Sequence, residues 1–509
     1  MTKVCRLSDI GQAFEAGLFS RATVCFGHFN TIHPGHIRYF RTAKNHGTPL
    51  VVAVEGDAQL LTAERSFIFP ETERAQSIAL LELVDYVVIL DNGLLEDLVR
   101  KIDLSTLVLG KEFEEARAIA VATAVSIAQR KSVRIHYDAG ETHYASTELF
   151  YGNPSELEKQ RWRAFLQARK VQDVVMSDVF SLMSQKSSNR LLVLGDTIVD
   201  RYVACDPLGM SNEAPVVVVK EMETRDYVGG AGIVAAHVAA LGTQCSFLSV
   251  TGADNYAKFT QDTLHRLGVE STLIEDSTRP TTFKIRYMVD NQKLFRVSRL
   301  KEHKLSKSVE GKILEEIGKQ APDLSGILVS DFVYGVVTPR IMEAVREASL
   351  QYEIPLFGDL QCSSQIGSVL KFQDFSIICP TEREARIALA NQDDGIETIA
   401  NVLIEKTGAK NLVLKLASEG FIAYSGREEE NGFRRRQHFP ALSINPVDVA
   451  GAGDALLSAM AVGLTRGLSL MQASALACCV SAVAVQTVGN RPINLEQVRS
   501  FFSKNAIMD

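Results

Sequence analysis

The sequence predicts an α/β protein with two folding units, and three observations lead to that prediction. The chain has 509 residues, which is too long for a single ordinary hydrophobic core. Short apolar, β-branched runs alternate with amphipathic stretches, as expected where helices cover both faces of a parallel sheet. This alternation is interrupted around residues 153–188, where a long stretch carries no strand pattern.

The first unit, residues 1–152, is predicted to be a doubly wound parallel sheet. Its apolar runs and amphipathic stretches follow one another in strict alternation, which is typical of βα units. The predicted strands are 22–27, 49–57, 85–90 and 106–110, and the predicted helices are 35–47, 71–84 and 93–102.

Residues 153–188 are predicted to be a helical linker that ends in a polar spacer, with Trp162 docking the helix. The second unit, residues 189–509, returns to βα units. It also contains two stretches, 212–230 and 281–299, in which apolar and polar residues alternate. Such alternation predicts a small sheet with one dry face, which would cover a site as a lid.

The composition limits which binding partners and which cellular compartment are expected for this protein. The net charge is −7 and no sustained basic tract is present, so we expect no nucleic-acid partner. The eight cysteines show neither disulfide nor metal-ligand spacing, which favours a reducing cytoplasm and predicts no metal held by a protein cluster. The longest apolar run, 473–485, is too short to span a bilayer, so no membrane association is expected.

A histidine-rich segment, "VCFGHFNTIHPGH" at 24–36, follows the first predicted strand. His33 and His36 are three residues apart and face the same way at the start of a predicted helix. Two imidazoles and a helix N-terminus would form a cradle for an α-phosphate and a departing pyrophosphate. The alternative is that the two histidines only cap the helix and that His28 is merely exposed.

The segment resembles the HxGH signature of the cytidylyltransferase-like nucleotidylyltransferases. The resemblance implies that His33 and His36 are catalytic. Arg65, Glu73 and Arg74 match the family's arginine and its ERxxxL-type helix, while Asn30 stands where many members have aspartate. The nucleotide contacts implied by the resemblance are Phe26, Gly27, His28, Lys111, Ser146 and Thr147.

A second motif, "NPVDVAGAGDALLSAMAVGL" at 445–464, contains the small residues Gly451, Ala452 and Gly453 before Asp454. Small residues allow backbone N–H groups to converge on an anion at a helix start, and Asp454 could take a proton from an attacking hydroxyl. The alternative is a glycine-rich turn in which Asp454 only caps the helix. The motif resembles the DTGAGD signature of the ribokinase-like sugar kinases, the phosphofructokinase B family.

That resemblance implies a ribokinase-like α/β domain with a β-lid, ATP as a substrate with Mg²⁺, and a homodimer formed through the lid. It places Glu384 near the nucleotide. The sugar-binding residues that it implies are Asp196, Asp200, Gly229, Gly230 and Arg286.

Together the two halves, roughly 21–150 and 189–495, resemble the bifunctional heptose-7-phosphate kinase/heptose-1-phosphate nucleotidylyltransferases, with the domains in reversed order. Several residues depart from that pattern. Ile233 and His237 replace asparagines, Tyr334 replaces a lysine, Leu360 and Gln361 replace Pro-Lys, and Thr381 opens the expected NxxE motif.

The leading hypothesis is a bifunctional enzyme that makes a nucleotide-activated sugar. One half would phosphorylate a sugar or sugar phosphate with ATP. The other would join a sugar 1-phosphate to a nucleoside monophosphate from ATP or CTP and release pyrophosphate. Two alternatives stay open: a single-activity nucleotidylyltransferase whose kinase-like half binds and dimerises, and a non-enzymatic nucleotide-sugar sensor.

Overall fold

The structure is a computed structural model, and the part of the chain that it describes falls into two units. One comprises Met1–Gly152 with Ala390–Asn401, and the other comprises Asn153–Leu389 with Val402–Asp509. The described residues are 3–10, 19–30, 32, 34–62, 69–91, 93–110, 119–138, 154–211, 213, 216–289, 292–301, 303–362, 367–428, 434–443, 445–487 and 489–505. Both units combine parallel strands with helices, so the predicted α/β class is confirmed.

The first unit contains a six-stranded sheet with the order β1-β4-β3-β2-β5-β6 and parallel pairing throughout. Every side chain of β2 and β3 is buried, which explains their uninterrupted apolar runs. The strands are β1 Val4–Arg6, β2 Ala22–Gly27, β3 Leu50–Val54, β4 Tyr86–Ile89, β5 Leu104–Gly110 and β6 Arg134–Asp138. The helices are α1 Pro34–Asn45, α2 Asp57–Thr62, α3 Glu71–Ala79, α4 Leu95–Lys101 and α5 Ile119–Arg130.

This strand order places β2 at the point where the winding of the sheet reverses. The chain adds β3 and β4 on one side of β2, and it then returns to add β5 and β6 on the other. Ligands of doubly wound sheets bind beyond the carboxyl ends of the strands at such a reversal. The histidine segment begins there, at the end of β2.

The second unit is built on a nine-stranded sheet, β11-β10-β7-β14-β15-β16-β17-β18-β19, which is parallel from β11 to β17. Its strands are β7 Arg190–Gly195, β10 Gln244–Thr251, β11 Val269–Glu275, β14 Gly326–Asp331, β15 Leu356–Leu360, β16 Ile377–Ile378, β17 Asn411–Lys415, β18 Phe421–Glu428 and β19 Arg434–Phe439.

Helices cover this sheet, and within the described ranges no helix is long and apolar enough to cross a bilayer. The remaining helices of the chain are α6 Pro154–Val171, α7 Met176–Ser184, α8 Ala231–Ala240, α9 Asn255–Arg266, α10 Lys307–Gln320, α11 Pro339–Tyr352, α12 Glu382–Leu389, α13 Ile396–Thr407, α14 Ala452–Thr465, α15 Leu470–Ala484 and α16 Leu495–Asn505.

A separate four-stranded sheet, here called the lid, has the order β13-β12-β8-β9. Its strands are β8 Thr197–Met210, β9 Val217–Gly230, β12 Thr282–Val289 and β13 Gln292–Arg299. The extended segments predicted at 212–230 and 281–299 are confirmed as lid strands. The chain enters β8 at Thr197, soon after β7 ends, because that stretch pairs with β9 on one side and β12 on the other.

The segment predicted as a linker contributes side chains to the core of the second unit. Trp162 and Phe165 of α6 are buried and pack edge-on, and Trp162 also contacts the ring of Phe501 in α16. Val179 and Phe180 of α7 are buried in the same cluster. The apolar residues at helical spacing form a stripe that needs a packing partner, so α6 and α7 have a structural role that a polar spacer would not have.

Candidate active sites

The first candidate site begins where β2 ends at Gly27. A side chain at Gly27 would stand 2.9 Å from the ring of Phe29, so glycine permits the tight turn. Phe29 itself has a positive φ of 49°, and its ring meets His36 edge-on at 5.0 Å between centroids. His36, in the first turn of α1, is thereby held at the carboxyl end of β2, where the prediction placed it.

Arg74 binds backbone carbonyls and a carboxylate of its own unit. Its buried guanidinium donates to the backbone carbonyls of His28, Phe69 and Glu55 and to the carboxylate of Asp57, the last two at 2.9 and 2.6 Å. These bonds tie the loop after β2 to the loop after β3. Arg74 therefore braces the site's backbone with four of its five N–H groups.

Part of the predicted first site lies outside the described residues. These positions are His33, Arg65, Lys111, Ser146 and Thr147. The predicted residues that are described, Phe26, Gly27, His28 and His36, all lie at the end of β2 or the start of α1. Their roles in binding or catalysis stay predictions.

The second candidate site is built around the turn before α14. Gly451 has a φ of 84°, and a side chain there would stand 2.1 Å from Asn490 Oδ1, so this turn requires glycine. Asp454 lies in the first turn of α14. Gln361 Nε2 donates to its Oδ1 at 2.7 Å, and Asn490 Nδ2 donates to its Oδ2 at 3.4 Å. Burial raises the pKa of Asp454 to about 6, although the Lys415 ammonium opposes that shift.

Beside this turn lies a buried ion pair that no motif indicated. Lys415 Nζ donates to both carboxylate oxygens of Asp359, at 2.8 and 2.7 Å. The two residues come from the carboxyl ends of β17 and β15. Burial lowers the pKa of the Lys415 ammonium, but the carboxylates of Asp359 and Glu384 outweigh burial and raise it. Lys415 is therefore charged at neutral pH.

Glu384 lies in the first turn of α12, and its carboxylate is buried. Its oxygens accept backbone N–H groups from Cys362 at 3.0 Å and Thr381 at 2.8 Å. In return, the backbone N–H of Glu384 donates to the hydroxyl oxygen of Thr381, the residue that replaces the expected asparagine, at 3.2 Å. The reciprocal bonds fix the carboxylate at the carboxyl end of the sheet, and its predicted contact with a nucleotide stays a prediction.

Three of the predicted sugar-binding residues meet at the base of the lid. Arg286 of β12 forms an ion pair with Asp200 of β8, and both side chains are largely buried. A side chain at Gly229 would stand 2.2 Å from Asp200 Oδ2, so the neighbouring strand must carry glycine there. The charge of Asp200 also acts on Asp454, which brings this cluster within electrostatic range of the α14 turn.

Asp196 has a different set of partners from Asp200. Its carboxylate accepts backbone N–H groups from Phe332 at 2.8 Å, Val336 at 3.3 Å and Tyr334 at 3.4 Å. These bonds hold the loop after β14 against the end of β7. The described contacts thus make Asp196 an anchor for a loop beside the site, and its contact with the sugar stays a prediction.

Two of the departures in α8 are buried. Ile233 is 1 % exposed, and His237 is completely buried with Nδ1 accepting the backbone N–H of Ile493 at 3.2 Å. Burial lowers the pKa of His237 to about 4, so its imidazole is neutral. Tyr334 is also buried, and the ammonium of Lys284 lies 5.0 Å from its ring centroid.

Sequence reasoning missed a further acidic residue within the second motif. Asp448 accepts the Tyr202 hydroxyl at 2.7 Å and the Lys293 ammonium at 2.9 Å. Tyr202 belongs to β8 and Lys293 to β13, so Asp448 connects the loop before α14 to the lid. Its position six residues before Asp454 was visible in the sequence, but its partners lie more than 150 residues away.

Comparison with known proteins agrees with this division of the chain. A family model described as pfkB family carbohydrate kinase matches residues 188–497, more than half of the chain. The chain belongs to the pfkB family of carbohydrate kinases. A second family model, described as Cytidylyltransferase-like, matches residues 24–148. The kinase unit therefore follows the cytidylyltransferase-like unit along the sequence.

Among the relatives are two proteins named Bifunctional protein HldE. The one from Geotalea uraniireducens (strain Rf4) is 32% identical over 321 residues, covering 62% of this chain and 64% of that protein. The one from Campylobacter jejuni subsp. jejuni serotype O:6 (strain 81116 / NCTC 11828) is 28% identical over 316 residues, covering 61% and 64%. The chain thus spans just under two thirds of the length of these relatives.

The kinase unit also resembles a solved structure. The phosphofructokinase-2 from Escherichia coli, in complex with substrates and products, superposes with a TM-score of 0.52 at 13% identity. The likeness covers 62% of this chain and 99% of that one. It supports the ribokinase-like fold of the second unit.

Proposed function

We propose that the chain is a bifunctional enzyme that makes a nucleotide-activated sugar. Its kinase unit phosphorylates a sugar or sugar phosphate with ATP, and its first unit transfers a nucleotidyl group from ATP or CTP to a sugar 1-phosphate. The observation that carries the proposal is the α14 turn, where a buried carboxylate, Asp454, stands beside a glycine-rich helix start. A merely structural cap would not need an acid buried within range of Asp200.

In the kinase unit, Asp200 and Arg286 position the sugar through hydrogen bonds to its hydroxyl or phosphate oxygens. Asp454 accepts the proton of the attacking hydroxyl. The backbone N–H groups at Gly451–Gly453 face the phosphoryl group as charge develops on it. Positioning and electrostatic stabilisation of this kind carry most of the rate acceleration in phosphoryl transfer.

The residues present also fit Mg²⁺ as the partner of ATP. Phosphoryl-transfer sites hold Mg²⁺ with one or two carboxylates, phosphate oxygens and water, and do not require a cage made only of protein ligands. In the described part of the chain, no group of three or more His, Cys, Asp or Glu side chains could hold a metal ion. Glu384 would hold the ion, which would neutralise charge on the nucleotide phosphates.

In the first unit, His36 and, from the sequence, His33 bind the phosphates at the reversal point of the sheet. Their imidazoles and the start of α1 donate to the α-phosphate and to the departing pyrophosphate. Arg74 keeps the two strand-end loops in place, through its bonds to His28 and Glu55. Phe26, Gly27 and His28 line the nucleotide, together with Lys111, Ser146 and Thr147.

The proposed sugar is a heptose phosphate, supported by the sequence resemblance and by the relatives named Bifunctional protein HldE. We also propose a homodimer formed through the lid, because large apolar side chains are exposed on this sheet. They are Leu208, Met210, Val217, Met222 and Phe295. A cytoplasmic location is supported by the eight cysteines, all of which are free thiols.

The proposal is tested by incubating the purified protein with ATP or CTP and a panel of sugar phosphates. The panel includes heptose 7-phosphate and heptose 1-phosphate, and ADP and pyrophosphate are measured separately. We expect ADP with a sugar or sugar 7-phosphate and pyrophosphate with a sugar 1-phosphate. Pyrophosphate without ADP would make the kinase unit a binding and dimerisation module. The absence of both products would leave a nucleotide-sugar sensor.

A further inference from the structure

Three buried carboxylates lie near the α14 turn and would repel an anionic substrate. Asp359, Glu384 and Asp454 are all buried at the carboxyl end of the sheet. The charges of Glu384 and Asp454 both act on Asp359, so the three carboxylates form one electrostatic cluster. A nucleotide triphosphate entering this cluster needs positive charge from the protein as well as from a metal ion.

The expected lysine is absent at the position where the kinase resemblance places it. Gln361 stands there, and its neutral side chain donates to Asp454 Oδ1 at 2.7 Å. That bond orients the carboxylate but supplies no charge to a phosphate. A cation for the transferring group must therefore come from another element.

Lys415 meets this requirement geometrically. Its ammonium stands 3.2 Å from the place that a Cβ on Gly453 would occupy, which puts it directly beside the turn. Asp359 accepts from it with both oxygens and so fixes its direction. An ammonium has three donors, and two are taken by Asp359, so one remains for a ligand.

We propose that Lys415 contacts the γ-phosphate of ATP in the kinase unit and supplies there the positive charge that Gln361 lacks. Asp359 is its positioning residue. The inference rests on the proposed kinase function. The alternative is that the Lys415–Asp359 pair is only structural, because a buried acid is commonly neutralised by a neighbouring base.

The deciding experiment compares the binding of two nucleotides by isothermal titration calorimetry. The probes are the β,γ-imido analogue of ATP and ADP, each with Mg²⁺. Lys415→Gln should weaken binding of the triphosphate about tenfold to a hundredfold, the range expected for one charge-assisted hydrogen bond. Binding of ADP should change little, because ADP lacks the γ-phosphate. Equal weakening of both nucleotides, or of neither, would overturn the proposal.

Three further variants distinguish a contact between Lys415 and the γ-phosphate from a purely structural role of the Lys415–Asp359 pair. Lys410→Gln removes an exposed lysine just before the same strand and should leave both affinities unchanged. Lys415→Arg keeps a cation beside Asp359 and should retain most of the preference for the triphosphate. The exchanged pair Lys415→Gln/Gln361→Lys returns a lysine to the turn from the other side. This double variant should recover part of the lost affinity for the triphosphate. It replaces Lys415→Gln in the test if that single variant does not fold.

Turnover separates this proposal from the kinase function. Where wild type forms ADP with a sugar phosphate, Lys415→Gln should lower kcat about 10²–10³-fold, as when one preorganised donor to a transition state is removed. An unchanged kcat would overturn the role of Lys415 and leave the kinase function standing. If wild type forms no ADP, the kinase function fails, while the triphosphate preference still decides whether Lys415 meets the γ-phosphate.

Discussion

The two candidate sites differ in how far apart their residues lie along the chain. In the first unit the described site residues run from Phe26 to His36, across one strand end and one helix start. In the kinase unit the site extends from Asp200 to Asn490 and draws on the lid, on two strand ends and on two helix starts. When site residues are close together in sequence, a motif can identify them. When they are dispersed along the chain, residues outside the motifs cannot be predicted from the sequence.

The boundary between the two units also differs from the one expected from the sequence. The sequence boundary near residue 152 left α6 and α7 between the units, but their apolar stripe packs into the kinase core. The units can therefore be tested separately only if these helices stay with the second one. Four expected outcomes test this difference between the two units, and the largest effect comes first.

Removing the two helices should destabilise the kinase unit strongly. Fragment 153–509 should melt cooperatively, whereas fragment 186–509 should melt far lower or aggregate, because it exposes the partners of Trp162 and Phe165. In the full chain, Trp162→Ala should cost about 3–5 kcal/mol of unfolding free energy. Denaturant titration measures this cost, and the exposed Val175→Ala in the same segment is the matched control. Equal stability of the two fragments would show that α6 and α7 are a spacer after all.

Asp454→Asn should stabilise the fold at pH 8 while removing kinase activity. Because burial raises the pKa of Asp454 from 3.8 to about 6, the folded state binds this proton more tightly than the unfolded state. Stability therefore falls as pH rises from about 4 to about 6, and the cost persists above that range. At about 1.4 kcal/mol per pKa unit the gain is at most roughly 3 kcal/mol.

The control for this stability effect is Asp323→Asn, which changes an exposed carboxylate. Melting curves at pH 4 and pH 8 should show a gain for Asp454→Asn only at the higher pH. An Asp454→Asn protein less stable than wild type at pH 8 would mean that the carboxylate is held favourably and is not a strained catalytic group.

Arg286→Gln should weaken sugar binding more than it slows the chemical step. The variant removes the cation beside Asp200 and leaves Asp454 and the α14 turn intact. A contact made equally in the ground state and the transition state changes KM and leaves kcat nearly constant. Loss of a charged hydrogen bond should raise the KM for the sugar about tenfold or more. A fall in kcat with constant KM would place Arg286 at the reacting group.

The pH dependence of the two activities should also differ. ADP formation requires the deprotonated form of Asp454, so kcat/KM should fall as pH drops through about 6. The first unit has no part in that ionisation, so pyrophosphate release should lack the same decline. Initial rates between pH 5 and pH 8 measure both curves. If kcat/KM for ADP formation did not change between pH 5 and pH 8, Asp454 would not be the general base.

Sequence reasoning reached the α/β class, most strands of the first sheet and the turn that carries Asp454, because periodicity and glycine spacing are local properties. It did not predict the position of Lys415, because the proximity of Lys415 to Gly453, 38 residues further along the chain, arises only in the folded sheet. It also gave Asp196 the same role as Asp200, because both lie near one strand end. Their different partners, three backbone N–H groups for Asp196 and Arg286 for Asp200, arise only from the folded loops.

The central claim is that one chain carries two separate active sites, and a crossed assay tests it most directly. His36→Ala and Asp454→Asn are each assayed for ADP and for pyrophosphate, with the exposed His265→Ala as a control. His36→Ala should lower pyrophosphate release about 10²–10³-fold and spare ADP formation. Asp454→Asn should lower ADP formation about 10²–10⁴-fold and spare pyrophosphate release. If either variant lowers both activities equally while remaining folded, the claim of two separate sites is contradicted.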